Sequence, residues 1–235
     1  MKIYLALGLL IAFATHPVFA NNSTEKLPQS SPVPGVQIGK VTVTSIHKLT
    51  PTVKKMVEAD LAEQPFGANR KLGEISDDAI IYRKNYYAQL KPLRDVEKNL
   101  TFKLADISRG ELGKYTLEGV IPEGPSQKGP WSSVTRIFKR DDNVVVMLHE
   151  WNYVGDGGGV MIIEELMNTK VNNSPARFSV KRSPAGWLSS ELMWVTNKST
   201  YMLTVMDDVP DSSKAKYNVK WLTSVAASIK EHLKQ

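Results

Sequence analysis

The sequence predicts an α+β domain in which a curved antiparallel β meander is packed by a C-terminal helix and preceded by two N-terminal helices. Two changes in apolar spacing carry this prediction. Apolar side chains recur every three or four positions between residues 50 and 98, as on a helix face, and every second position from Leu100 onward, as in a strand. Helical spacing returns near the end, and a block of strands flanked by helices is typical of the α+β class.

Residues 1–20 have the pattern of a secretory signal. Lys2 precedes an apolar run, Ile3–Ala14, and small residues before position 21 suit a signal peptidase. The run is short for a bilayer span and no second apolar stretch follows, so an integral membrane protein is not expected. The pattern predicts cleavage near Ala20 and a periplasmic or secreted mature chain. Residues 21–37, rich in serine and proline, predict a flexible leader.

Residues 38–235 are predicted to form a single α+β domain. Its helical part covers about residues 50–98, its sheet part about residues 100–206 and its C-terminal helix about residues 218–234. That length suits one hydrophobic core. All five tryptophans lie downstream of residue 130, which places most of the core in the sheet part and the final helix.

Proline and capping residues indicate where the N-terminal helices begin and end. Pro51 predicts the start of a first helix that runs through Glu63, because proline is favoured at the first helical position. Ser76 predicts the cap of a second helix, which Pro92 ends because proline lacks an amide hydrogen. The C-terminal helix carries an apolar stripe, for which one face of the meander is the expected partner. The stripe consists of Leu222, Val225, Ala226, Ile229 and Leu233.

The composition argues against several classes of function. The chain has a formal net charge of +6, and removal of residues 1–20 takes away one lysine to leave +5, with the basic residues scattered. A nucleic-acid-binding protein concentrates them on one face, so no nucleic acid partner is expected. The chain has no cysteine, and its predicted mature part has three histidines, so no disulfide, lipid anchor, metal site or cofactor is expected.

The sequence shows no assembled catalytic motif. The run Gly155–Gly159 lacks the Gly-Lys-Ser/Thr ending of a nucleotide loop and favours a mobile hairpin loop. His149 and Glu150 begin like a zinc-protease motif, but Tyr153 stands where the second histidine belongs. The chain is therefore not expected to be an enzyme. An envelope hydrolase stays open as an alternative, and it would need His149 and a carboxylate to converge in a cleft.

Large amphipathic side chains close to glycine-rich turns give the candidate ligand-binding residues. Such side chains lie at the mouth of a binding site more often than buried aliphatic side chains do, although core packing is the alternative for each of them. The candidates are Trp131, Trp151, Tyr153, Asp156 and Trp187. Trp194 and Trp221 are assigned to the core.

Several runs in roughly the last 70 residues carry a family resemblance. They are Thr169–Ala176, Leu192–Trp194, Tyr201–Leu203, Trp221–Leu222 and Ala226–Ile229. This succession resembles the tail of the small extracytoplasmic sheet domains of the lipoprotein-carrier and sigma-regulator group, in which helices back a curved antiparallel sheet. The resemblance implies a concave apolar face for a lipid, an acyl chain or a protein segment, although such an analogy of fold does not establish a function.

The leading functional hypothesis is an exported, non-catalytic binding protein of the bacterial envelope. Its ligand would be an apolar molecule, such as a lipid or acyl chain, or an envelope protein. The alternative is an inhibitor or immunity protein that blocks a toxin or cell-wall hydrolase through a protruding loop. That alternative predicts an exposed loop at residues 155–159 or 183–187 with no pocket beneath it.

Overall fold

The computed structural model describes residues 11–13, 39–63, 71–79, 86–124, 128–140, 142–207 and 219–232. These residues form an α+β structure with a large, mostly antiparallel sheet and a C-terminal helix, as the sequence predicts. The predicted flexible leader, residues 21–37, lies outside the described residues. No helix in the described ranges is long and apolar enough to cross a bilayer.

The strands and helices of these ranges are as follows. The strands are β1 (Ile11–Phe13), β2 (Val41–Thr44), β3 (Gly73–Glu74), β4 (Thr116–Glu123), β5 (Ser133–Lys139), β6 (Val145–Trp151), β7 (Gly159–Ile163), β8 (Thr169–Val171), β9 (Ser174–Arg182), β10 (Leu188–Val195) and β11 (Thr200–Asp207). The α-helices are α1 (Pro51–Leu61), α2 (Leu93–Glu97) and α3 (Val219–Ser228). Short 3-10 helices lie at Ile46–Lys48, Tyr86–Gln89, Leu112–Lys114 and Glu164–Leu166.

The large sheet consists of two meanders rather than the single one predicted. Its strand order is β3-β9-β10-β11-β6-β5-β4, with β8 beside β9. Strands β4–β5–β6 and β9–β10–β11 are each consecutive and antiparallel, and the pairing of β6 with β11 joins them. Strand β3 is the exception because it runs parallel to β9.

Strand β7 leaves the large sheet, and this corrects the prediction of a hairpin at Gly155–Gly159. It lies in a second sheet of order β1-β7-β2, so the glycine-rich turn connects strands of different sheets. All five residues of β7 are buried, which suits a strand covered on both faces. On one face Val160 packs beside Tyr153, and on the other Ile163 packs beside Val57 of α1.

The predicted pair of N-terminal helices is not supported as a pair. Helix α1 does begin at Pro51. At the start of the second predicted helix, Ser76 Oγ accepts a hydrogen bond of 3.1 Å from the amide of Ala79. The helix is not described beyond Ala79. The chain reappears as a 3-10 helix at Tyr86–Gln89, and Pro92 precedes α2 rather than closing a long helix. Proline has no amide hydrogen, and the position before a helix needs none for an intrahelical bond, which explains its place here.

The two faces of the large sheet differ in chemistry. One face packs against Leu222, Val225 and Ala226 of α3 in the largest apolar cluster of the protein. The opposite face carries buried charges, among them the Lys181–Glu191 ion pair at 3.2 Å. The first face therefore belongs to the core and is apolar apart from the buried Arg136–Glu150 ion pair, whereas the second face is polar along β9 and β10.

Candidate functional site

A cavity of about 190 Å³ opens beside the C-terminal end of α3. We call it the aromatic pocket. Three parts of the fold form its walls, namely the β8–β9 turn, the β10–β11 hairpin and the segment after α3. The lining residues are Val171, Asn172, Ser174, Trp194, Thr196, Tyr201, Ala226, Ile229 and Glu231. The volume suits a single ring-sized group, since a cavity of about 150 Å³ holds one benzene molecule.

Two aromatic rings form the base of the aromatic pocket. Trp194 and Tyr201 are directly opposite each other on β10 and β11, so their side chains project from the same face of the sheet. The ring centroids lie 5.2 Å apart and the planes meet at 12°, which is a stacked arrangement. Such a pair presents a rigid π-surface that loses little conformational freedom when a ligand binds.

Glu231 supplies the negative charge of the aromatic pocket. Its Oε1 accepts a 3.0 Å hydrogen bond from the Thr196 hydroxyl. The Tyr153 hydroxyl donates to the Thr196 carbonyl oxygen at 3.0 Å. Burial, with a smaller effect of Glu231, raises the pKa of Tyr153 to about 12, and the same two causes raise the pKa of Tyr201. Both phenols are therefore neutral donors at physiological pH.

A buried ion pair supports the position of Glu231. Arg136 and Glu150 meet at 2.7 Å on the core face of the sheet. Both hold Ala105, because Arg136 donates to its carbonyl at 2.9 Å and Glu150 accepts from its amide at 2.8 Å. The next residue, Asp106, exchanges two backbone hydrogen bonds of 2.8 and 2.9 Å with Lys230. This chain of contacts fixes the backbone that immediately precedes Glu231.

Three of the five candidate residues lie together beside this network. The Trp151 indole donates to Asp156 Oδ2 at 3.0 Å, and its ring meets that of Tyr153 edge-on, with centroids 6.2 Å apart. Tyr153 connects the group to the aromatic pocket through Thr196. Trp151 and Asp156 are half-buried, whereas Tyr153 is fully buried.

The other two candidates are in different places. Trp131 is buried in a separate cluster with Val96 and Val134, and the Lys91 ammonium lies 5.0 Å from its ring centroid. Trp187 is half-buried and directly precedes β10, which places it at the opposite end of that strand from Trp194. The five candidates therefore do not form one site.

Sequence reasoning missed most of the aromatic pocket. Trp194 is buried in the core, as assigned, but it also lines the cavity. The turn residues Asn197 and Lys198, between the apolar runs Leu192–Val195 and Tyr201–Val205, indicate a hairpin, and that hairpin places Trp194 opposite Tyr201. Nothing in the local pattern indicates that Glu231 reaches this hairpin from the end of the chain.

No family model, curated protein or solved structure matches the chain. A carboxylate beside stacked aromatic rings attracts a cation, since the ring faces carry negative electrostatic potential. Thr196 and Tyr201 each form a side-chain hydrogen bond with Glu231, and a carboxylate accepts about four hydrogen bonds in total, so acceptor positions are left for a cation.

The histidine proposed for a hydrolase has hydroxyl partners. The Nδ1 and Nε2 atoms of His149 lie 3.0 Å from Thr135 Oγ1 and 3.3 Å from Ser133 Oγ, respectively. The adjacent carboxylate, Glu150, projects from the other face of the sheet toward Arg136. In the described ranges, no group of three or more histidine or acidic residues could hold a metal ion.

Proposed function

We propose that this chain is an exported, non-catalytic binding protein whose ligand is an envelope protein that inserts one cationic side chain into the aromatic pocket. The observation that carries the proposal is the combination of the Trp194–Tyr201 stack with the Glu231 carboxylate around one small cavity. A lysine or arginine side chain has an apolar stem for the rings and a charged end for the carboxylate.

The size of the aromatic pocket favours a side chain over a lipid. Sites for drug-sized ligands typically have volumes of about 300–1,000 Å³. The aromatic pocket measures about 190 Å³, and polar groups of Thr196 and Glu231 line part of it. An acyl chain would need a longer and more apolar channel, so of the two ligand classes expected from the sequence we favour the protein.

An NMR titration tests the cationic preference. The probes are N-acetyl-lysine amide and N-acetyl-norleucine amide, which share the apolar stem but differ in charge. We expect the lysine probe to shift the Trp194 indole resonance and the norleucine probe to bind at least about ten-fold more weakly, because a hydrogen bond to a charged group contributes about 1.5–3 kcal/mol. Equal binding of both probes would contradict a cationic ligand.

The variant Glu231→Gln supplies the matched test on the protein. It keeps the shape of the side chain and its acceptor for Thr196, but it removes the charge. We expect the preference for the lysine probe to disappear while the unfolding midpoint changes little. Native mass spectrometry of residues 21–235 from a periplasmic extract is the complementary measurement, and a stoichiometric lipid would overturn the choice of a protein ligand.

An exposed turn favours a second candidate function. Val154 is 39% exposed in the turn after β6, and the Trp151–Asp156 hydrogen bond holds this turn in place. An inhibitor or immunity protein would present such a turn to a toxin or cell-wall hydrolase. Capture of a partner protein by the variants Val154→Asp and Glu231→Gln separates the two candidates. If the partner is lost only with Val154→Asp, binding belongs to the turn.

A further inference from the structure

The outer edge of β7 carries the strand β1, which lies inside the predicted signal. Residues Ile11, Ala12 and Phe13 pair antiparallel with Met161, Val160 and Gly159, respectively. On its other side β7 pairs with β2. Among the described residues, β1 is the strand recorded on this outer edge.

The backbone groups that face β1 can be assigned from the hydrogen bonds to β2. The amide of Val160 donates to the Lys40 carbonyl oxygen at 3.1 Å, so Val160 directs its polar backbone groups toward β2. Successive residues of a strand direct these groups to opposite edges. Gly159 and Met161 therefore direct theirs toward β1.

We infer that the outer edge of β7 is a docking site for an extended apolar segment of a partner protein. In the mature chain, which lacks β1, this segment would pair with β7 where β1 pairs in the full chain. The inference rests on the proposed export, in which residues 1–20 are removed. Removal of β1 leaves the polar backbone groups of Gly159 and Met161 without the strand recorded there. Strand addition to a sheet edge satisfies such groups, with main-chain hydrogen bonds that contribute affinity.

The surroundings of β7 define the chemistry of the incoming segment. Val160 and Ile162 face a buried apolar cluster that contains Met193, and Ile163 faces another that contains Leu166. A strand added beside β7 extends both of these apolar surfaces. The segment should therefore be uncharged and apolar on both faces, as the chain's own Ile-Ala-Phe sequence is.

Hydrogen exchange compares the full chain with residues 21–235, expressed directly so that the result does not depend on export. We expect the amides of Gly159 and Met161 to exchange about ten-fold faster or more without β1, because amides that lose their strand partner lose protection. The amides of Val160 and Ile162 serve as internal controls and should change little. Equal acceleration of all four amides would mean that β7 unfolds without β1, which would overturn a preformed edge.

Peptide binding supplies the second arm of the test. The probe carries residues 10–15 of this chain with added lysines at both ends, and it should restore protection at Gly159 and Met161. N-methylation of its Ile11 and Phe13 amides should abolish binding, whereas N-methylation of Ala12 should not, because that amide points away from β7. Equal effects of the two modifications, or no restored protection, would refute the docking site. Failure of export in cells would refute the proposed localisation without changing these results.

Discussion

Replacement of Arg136 by methionine is expected to be the most informative change in the core. Arg136 and Glu150 are 6% and 1% exposed, so the variant leaves a carboxylate buried without its cation. Removal of one partner from a buried ion pair costs about 3–5 kcal/mol. The Ala105 carbonyl also loses the donor that lies at 2.9 Å. We therefore expect Arg136→Met to lower the free energy of unfolding by about 3–5 kcal/mol.

Urea unfolding followed by tryptophan fluorescence measures this loss. The double variant Arg136→Met with Glu150→Leu removes both charges. Its loss of unfolding free energy should not exceed that of the single variant, even though the amide and carbonyl of Ala105 then stay unpaired at a cost of about 1–3 kcal/mol each. Arg136 holds Ala105, and the next residue, Asp106, pairs with Lys230, which directly precedes Glu231. The single variant should therefore also weaken binding of the lysine probe. Burial raises the pKa of Glu150, so without Arg136 this carboxyl must either stay buried as an unpaired charge or take up a proton, and both outcomes cost stability. A loss below about 1 kcal/mol for Arg136→Met would therefore refute the reasoning.

Two further predictions concern single side chains. Burial raises the pKa of Glu63 above 4.5 despite the nearby Arg177, so the fold favours the protonated form, and this stabilisation is lost as the pH rises through the raised pKa. The unfolding free energy of Glu63→Gln should therefore rise relative to that of the native protein as the pH rises from below 4.5 to neutral. Urea unfolding at both pH values measures the difference between the two proteins, and a difference that stays constant with pH would contradict the prediction. Tyr153→Phe should cost about 1 kcal/mol through the lost bond to Thr196. Thermal unfolding measures this loss, and a loss well below about 0.5 kcal/mol would argue against the Tyr153 bond.

Local patterns predicted the strands well and their pairing poorly. A continuous apolar run indicates a strand at Val144–Leu148, where β6 begins, and turn residues indicate the hairpin between β10 and β11, because apolar runs and turn residues are local properties. The pairing of β6 with β11 depends on residues about fifty positions apart, which periodicity does not record. The run Val160–Met167 indicates a strand, but it could not reveal that β7 (Gly159–Ile163) belongs to a second sheet.

The candidate site shows the same division between local and distant information. Trp151, Tyr153 and Asp156 are close in sequence, and the structure brings them together. Trp131 and Trp187 are distant in sequence, and residue type alone could not place them. Glu231 follows the Asp106–Lys230 backbone pairing and bonds Thr196 of the hairpin, and both contacts join residues far apart in sequence.

The pairing of β6 with β11 also has a consequence for the order of folding. Each meander closes through short connections, whereas the pairing between them closes a loop of about fifty residues and carries a larger entropic cost. We therefore expect the two halves of the large sheet to form before they pair with each other. Helix α3 comes last in the chain and shares the largest apolar cluster with strands from both halves, so we expect the core to be completed only after that union.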